Sequence, residues 1–130
     1  MAIALPAGAR MVANRKNLSA TLHFTNNATI TVSGNSSVSH IALGDEVLTG
    51  AYICQVWHGS MGQWTVMRGS NTVGVFDSTA YNDFAGNGNP IKLDSSGTLV
   101  VTLDSPATNG YLMIELQKIG TFAPDEYFQN

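Results

Sequence analysis

The chain contains one cysteine, Cys54, so no internal disulfide can brace it. Charged residues make up only 12% of it, about half the usual share. No stretch approaches the roughly 18 apolar residues a helix needs to span a bilayer. No window long enough for a helix repeats apolar residues at i, i+3, i+4 and i+7. His23, His40 and His58 stand far apart, with no His-x-His pair and no neighbouring cysteine or carboxylate, so no metal site is expected. These absences argue against a disulfide scaffold, a helical bundle, a coiled coil and a helical membrane protein.

What remains is apolar and small-polar. Hydrophobic residues make up 44% of 130 residues, enough to bury roughly two-thirds of the unfolded surface in one domain. Gly (13), Thr (12), Ser (11) and Asn (11) make up more than a third of the chain. This mixture belongs to an all-β domain with many turns. The start, Met-Ala-Ile-Ala-Leu-Pro, lacks a positive leading segment and breaks at Pro6, so cytoplasmic synthesis is expected.

Charge is divided unevenly. Residues 1–19 carry Arg10, Arg15 and Lys16 and no acid, whereas the remainder holds three bases against nine acids. An acidic body gains nothing from a phosphate backbone, so nucleic acid is not an expected partner. The first nineteen residues show no sustained period and read as an extended arm. A domain over 20–119 and a tail over 120–130 follow.

From Ala20 the period is two. Thr21, His23 and Thr25 alternate with Leu22 and Phe24, then Asn26-Asn27 turns into Thr29–Val32, a hairpin pattern. Val38–Leu43 reads as a short strand. Ala51–His58 is apolar on both faces, which predicts a central strand covered on each side. Gln63–Arg68 and Thr72–Phe76 read as its continuation in a three-strand meander. Ile91–Leu93 reads as paired with Thr98–Leu103 across Asp94–Gly97. The last strand, Tyr111–Ile119, sends Leu112, Ile114 and Leu116 inward. The expected architecture is an antiparallel β-sandwich or jelly roll of about eight strands.

Motifs for chemistry are thin. His58-Gly59-Ser60-Met61-Gly62 lacks the leading glycine and the strand-to-helix setting of a nucleophile elbow. The loop 77–90 offers oxygen ligands in Asp77, Asn82, Asp83, Asn87 and Asn89 but matches no dedicated calcium loop. Glu46, Asp83 and Glu115 show no spacing that pairs two of them across a cleft. Gly86-Asn87-Gly88-Asn89 lacks the lysine and following helix of a phosphate loop. Cys54 lies in an apolar strand with no base beside it, the setting of an inert thiol. No catalytic residue, metal ligand or cofactor is expected. Trp57, Trp64, Tyr52, Tyr81 and Tyr111 allow a sugar-stacking surface, with Trp57 and Trp64 flanking one turn; core packing is the commoner use of such rings.

Taken whole, the chain resembles small structural proteins of tailed-bacteriophage particles, above all capsid decoration or cement proteins. The likeness rests on the basic arm (Met1 to Ser19), the short-stranded Gly/Ser/Thr/Asn-rich sandwich, the aromatic tail and the stretch Gln63–Asn71. It implies a non-enzymatic virion component, synthesised in a host cytoplasm, that binds capsid subunits as a dimer or trimer. The arm and tail then supply the contacts, through Ile3, Leu5, Arg10, Arg15, Lys16, Phe122, Tyr127 and Phe128. The alternative is a glycan- or receptor-binding module of a tail, fibre or surface appendage.

Overall fold

The computed structural model describes residues 3–16, 18–60, 63–77, 79–104 and 110–122, with backbone alone at 60, 121 and 122. Among the described residues the chain is all-β, with eleven strands and no helix. The strands are β1 (Ala9–Asn14), β2 (Ser19–Phe24), β3 (Ala28–Thr31), β4 (Gly34–Asn35), β5 (Glu46–Ser60) and β6 (Gln63–Arg68). They continue as β7 (Asn71–Asp77), β8 (Ala80–Asp83), β9 (Ile91–Lys92), β10 (Thr98–Leu103) and β11 (Gly110–Phe122). One sheet has seven strands in the order β1-β2-β11-β5, with β4, β9 and β8 sharing the far edge of β5. The other has the order β3-β10-β6-β7.

The pairing is nested: β2 with β11, β3 with β10, β5 with β8 and β9, β6 with β7. A chain paired this way is one long hairpin rolled over itself, the winding of a jelly roll. Strands β4 and β9 are two residues long and β3 and β8 four, which leaves seven of six residues or more. Between the sheets lie Leu22, Phe24, Ile53, Val56, Leu112, Ile114 and Leu116 from one side. Ile30, Trp64, Val66, Leu99 and Val101 meet them from the other, all at most 1% exposed. Each such side chain contributes about 1.5–3 kcal/mol by leaving water.

Three expected hairpins are sheet crossings instead. Asn26-Asn27 joins β2 to β3 in the opposite sheet, and the Asn27 Oδ1 accepts the Leu103 N–H at 2.7 Å to hold that corner. The turn after Gly59 carries the chain from β5 in one sheet to β6 in the other, so only the β6–β7 half of the expected meander is a hairpin. Asp94–Gly97 likewise joins β9 to β10 across the sandwich. There Asp94 Oδ1 accepts the Ser96 N–H at 3.0 Å, and the Ser96 hydroxyl, then the Asn71 amide and that N–H, hold the Asp94 carboxyl below its ordinary range. Gly97 adopts φ +64°, a conformation open to glycine. Alternation of period two is the same whichever sheet receives the next strand, so the pattern cannot separate a hairpin from a crossing.

Val38–Leu43 is not a strand. The Ser39 Oγ accepts the N–H groups of Ile41 and Ala42, both at 3.1 Å, and this local bonding competes with a ladder. The resulting loop drops Ile41 and Ala42 into the core, fully buried.

The 15-residue β5 explains why 51–58 reads as apolar on both faces. Against β11 its register slips twice, leaving Thr49 and Cys54 as extra residues. Each bulge shifts the inward face by one position. Glu46 and Leu48 point inward, then Ala51 and Ile53, then Val56 and His58, all buried. The expectation that the strand is covered on both sides therefore fails. It is central in its sheet, and Tyr52, Gln55 and Trp57 on its outer face are half-buried.

The segment 1–19 is also more than an arm. Ala9–Asn14 pairs antiparallel with β2 and forms the edge of the larger sheet, with a register slip at Val12. Leu5, Ala9 and Met11 pack against the core. The slip at Val12 breaks the alternation, which hides this strand from a period-two reading.

Candidate functional site

The inner surface of the larger sheet is consumed by the core; its outer surface is not. Register aligns outward-facing side chains into rows that cross the strands. One row runs Arg10, His23, Met113, Trp57, Tyr81. The next runs Thr21, Glu115, Gln55, Asp83, and a third runs Ser19, Gln117, Tyr52, Lys92. Neighbouring strands lie about 4.8 Å apart, so the first row is about 19 Å wide.

The two ends of this face differ. At the β1 end, Arg10 Nε donates to His23 Nδ1 at 3.0 Å. Partial burial and then the Arg10 charge hold the His23 imidazole below its ordinary value. Val12 (50%) in β1 and Leu18 (52%) in the turn after it are exposed here, along with Arg10 and Arg15, and Ile3 (40%) is exposed in the segment before β1. Beside them lies a depression of about 250 Å³ lined by Arg15, Leu18, Ser19, Cys54, Glu115 and Gln117.

At the β8 end, Trp57 and Tyr81 stack with ring centroids 5.2 Å apart and planes 26° apart. Tyr111 lies across from Gly59, where a β-carbon would sit 2.6 Å from the Tyr111 ring, so glycine there makes room for the tyrosine. Partial burial and the carboxylates of Asp83 and Glu115 push the Tyr81 hydroxyl upward.

The residues expected to make contacts are thus scattered in role. Arg10 and Arg15 are exposed at the β1 end, and Ile3 is exposed in the segment that precedes it. Leu5 is committed to the core of its own domain. Lys16 is half-buried and pairs with Asp45, whose carboxyl it holds low, tying the β1–β2 turn to the loop before β5. The backbone of Phe122 ends β11 opposite Glu46. The side chain of Phe122, and all of Tyr127 and Phe128, lie outside the described residues.

Groups weighed for chemistry are not brought together. His58 faces inward, 3% exposed, against the Phe76 ring at 5.1 Å and the Asn82 amide at 3.3 Å. His40 Nδ1 accepts the Thr31 N–H at 2.8 Å, and burial holds its imidazole below the ordinary value. Cys54 is buried at its bulge. Burial, then Glu115 and Asp83, push its thiol up, away from the reactive thiolate. Of the loop 77–90, Asn82 turns inward and Asp83 Oδ1 accepts the Gly86 N–H at 2.8 Å. Among the described residues no three His, Cys, Asp or Glu side chains are grouped to hold a metal. Asp83 and Glu115 do share a row, separated by Gln55, while Glu46 is buried in the core.

Trp57 and Trp64, which flank one turn in the sequence, point to different places. Trp64 is fully buried from the smaller sheet, and Trp57 stands on the outer face of the larger. The feature that sequence reasoning missed is a buried ion pair: Lys118 Nζ lies 2.9 Å from Glu46 Oε1, both side chains 1% exposed. Lys118 occupies an inward position of β11, and that parity was its only trace in the sequence.

No protein family matches this chain, and no curated protein or solved structure does so either.

Proposed function

We propose that this chain is a non-enzymatic structural protein of a virus particle, a capsid decoration protein that reinforces the shell by surface contact. The carrying observation is the β1 end of the larger sheet: Val12 is exposed on the edge strand β1, which has one unpaired side among the described residues, Leu18 is exposed in the turn after it, and the Arg10 and Arg15 cations belong to the same hairpin. Exposed apolar side chains interspersed with cations suit a protein partner. The remainder of the molecule carries the opposite sign, which fixes the orientation in which an acidic shell surface is met. At the free edge of the smaller sheet, β7 exposes Val75 (54%), and this supports assembly of like copies into a dimer or trimer.

Because β1 is paired with β2, cutting away the N-terminal segment would strip a sheet edge and confuse docking with folding. Point changes separate the two. The double variant Val12→Asp with Leu18→Asp should melt within a few degrees of the parent, since both positions are half-exposed. It should bind purified capsids at least about tenfold more weakly in co-sedimentation, because two carboxylates enter an apolar contact. Undiminished binding by a folded double variant would refute this docking surface.

A further inference from the structure

The opposite end of the same outer face has different chemistry. Trp57 and Tyr81 stack against each other, so that the half-buried Trp57 backs the more open Tyr81, which is 49% exposed. One row away stand Asp83, Gln55 and Glu115, and one row further Lys92, Tyr52 and Gln117. We infer that this β5–β8 half of the face binds a neutral polysaccharide, with a pyranose ring laid on the exposed Tyr81 ring, which Trp57 backs, and its hydroxyls bonded by Asp83 and Gln55 beside it.

The ligand class follows from the arrangement. A protein partner is best held by contiguous apolar surface, with polar groups at a rim. Here amide and carboxylate groups run directly beside the rings and continue for two rows. A pyranose presents both requirements within one ring: an apolar C–H face for an aromatic ledge, and equatorial hydroxyls that need donors and acceptors at its edge. Rows about 7 Å apart along the strands and about 4.8 Å apart across them match the scale of single sugar units. Charge narrows the class further. Asp83 and Glu115 place two carboxylates in the central row with no cation in it, so uronic acids, sialic acids and phosphorylated sugars are disfavoured. Lys92 is one row beyond, Arg10 and His23 lie at the far end of the sheet, and Arg15 borders the depression on the far side of Glu115 from Asp83.

The Trp57–Tyr81 pair is separate from the docking edge: β5 is three strands from β1 in sheet order, while Glu115 and Gln117 of β11 lie between the two. The site is held ready without ligand: the Trp57–Tyr81 stack fixes both rings, and Asp83 is anchored through the Gly86 N–H at 2.8 Å. Pre-ordered groups lose little freedom on binding.

The test is native affinity electrophoresis of the full chain in gels containing dextran, mannan, laminarin or hydroxyethylcellulose, with alginate as the acidic comparison. At least one neutral polymer should retard the protein, and alginate should not. Trp57→Ala and Tyr81→Ala should each weaken that retardation by at least about tenfold. Trp64 is buried, so a shift in tryptophan emission on adding the retarding polymer reports Trp57. Tyr81 is half-exposed, so its variant keeps the test valid even if Trp57→Ala disturbs packing. Retardation by none of the four neutral polymers, retardation that survives Tyr81→Ala, or preference for alginate would each overturn the inference. Both variants should still co-sediment with capsids, so this site and the docking edge can fail separately.

Discussion

Glu46→Gln is expected to lower stability by about 3–5 kcal/mol, the usual cost of leaving one member of a buried ion pair without its counter-charge. For a domain of this size that is a fall of roughly 10–20 °C in melting temperature. The substitution preserves shape and keeps an oxygen for the Leu43 N–H, which Glu46 Oε1 accepts at 2.7 Å. What it removes is the negative charge facing Lys118 Nζ at 2.9 Å, where both side chains are 1% exposed. The double variant Glu46→Leu with Lys118→Met should recover much of the loss, because neither charge then needs a partner and the core gains apolar volume. Thermal melts followed by circular dichroism decide it. A single variant as stable as the parent, or a double variant no better than the single, would contradict the geometry of the pair.

Trp64→Ala should cost about 3–5 kcal/mol as well, for a different reason. Trp64 is the largest fully buried side chain among the described residues, and it fills the space between the sheets where β6 pairs with β10. Removing it deletes the contacts of an entire indole and leaves a cavity that two rigid sheets cannot close. Trp57→Ala removes an outer-face ring that stacks on Tyr81 and should cost no more than about 1 kcal/mol. Urea titration of the two variants separates them. Equal losses would mean that the six-residue stretch between these tryptophans does not cross from one sheet to the other.

The two tryptophans also show where the sequence is readable and where it is not. Composition and alternation are enough for the all-β class, for the central place of 51–58, and for the inward set Leu112, Ile114 and Leu116 of β11, because one-sided burial imposes a period of two. Alternation carries no information about destination. Asn26-Asn27, the turn after Gly59, and Asp94–Gly97 look like hairpin turns yet send the chain to the other sheet. Bulges defeat the pattern more directly. Thr49 and Cys54 each move the inward face by one, so β5 presents two apolar faces on paper and one in three dimensions. The slip at Val12 conceals β1 in the same way. Ser39 turns an apolar segment into a loop through its own hydroxyl.

The candidate site was only partly legible for related reasons. Trp57, Tyr81 and Tyr111 were visible as aromatic residues in an all-β chain, but their neighbours depend on register. Nothing in sequence spacing joins Tyr81 of β8 to Trp57 of β5, 24 positions apart; the ladder Trp57–Tyr81 does. The same holds for the basic end. Arg10, Arg15 and Lys16 form one charge cluster in sequence, yet Lys16 is spent on Asp45 while Arg10 and Arg15 remain on the surface.

Both proposed uses of the outer face rest on contact area and shape rather than on bond-making, and the β1 end is the part that would tie this chain to a particle. The most direct measurement is quantitative mass spectrometry of particles purified through a density gradient from infected cells that produce this chain. The account predicts a fixed copy number relative to the shell subunit, unchanged on repeated banding. Recovery of the chain only in the soluble fraction, with banded particles free of it, would contradict the account.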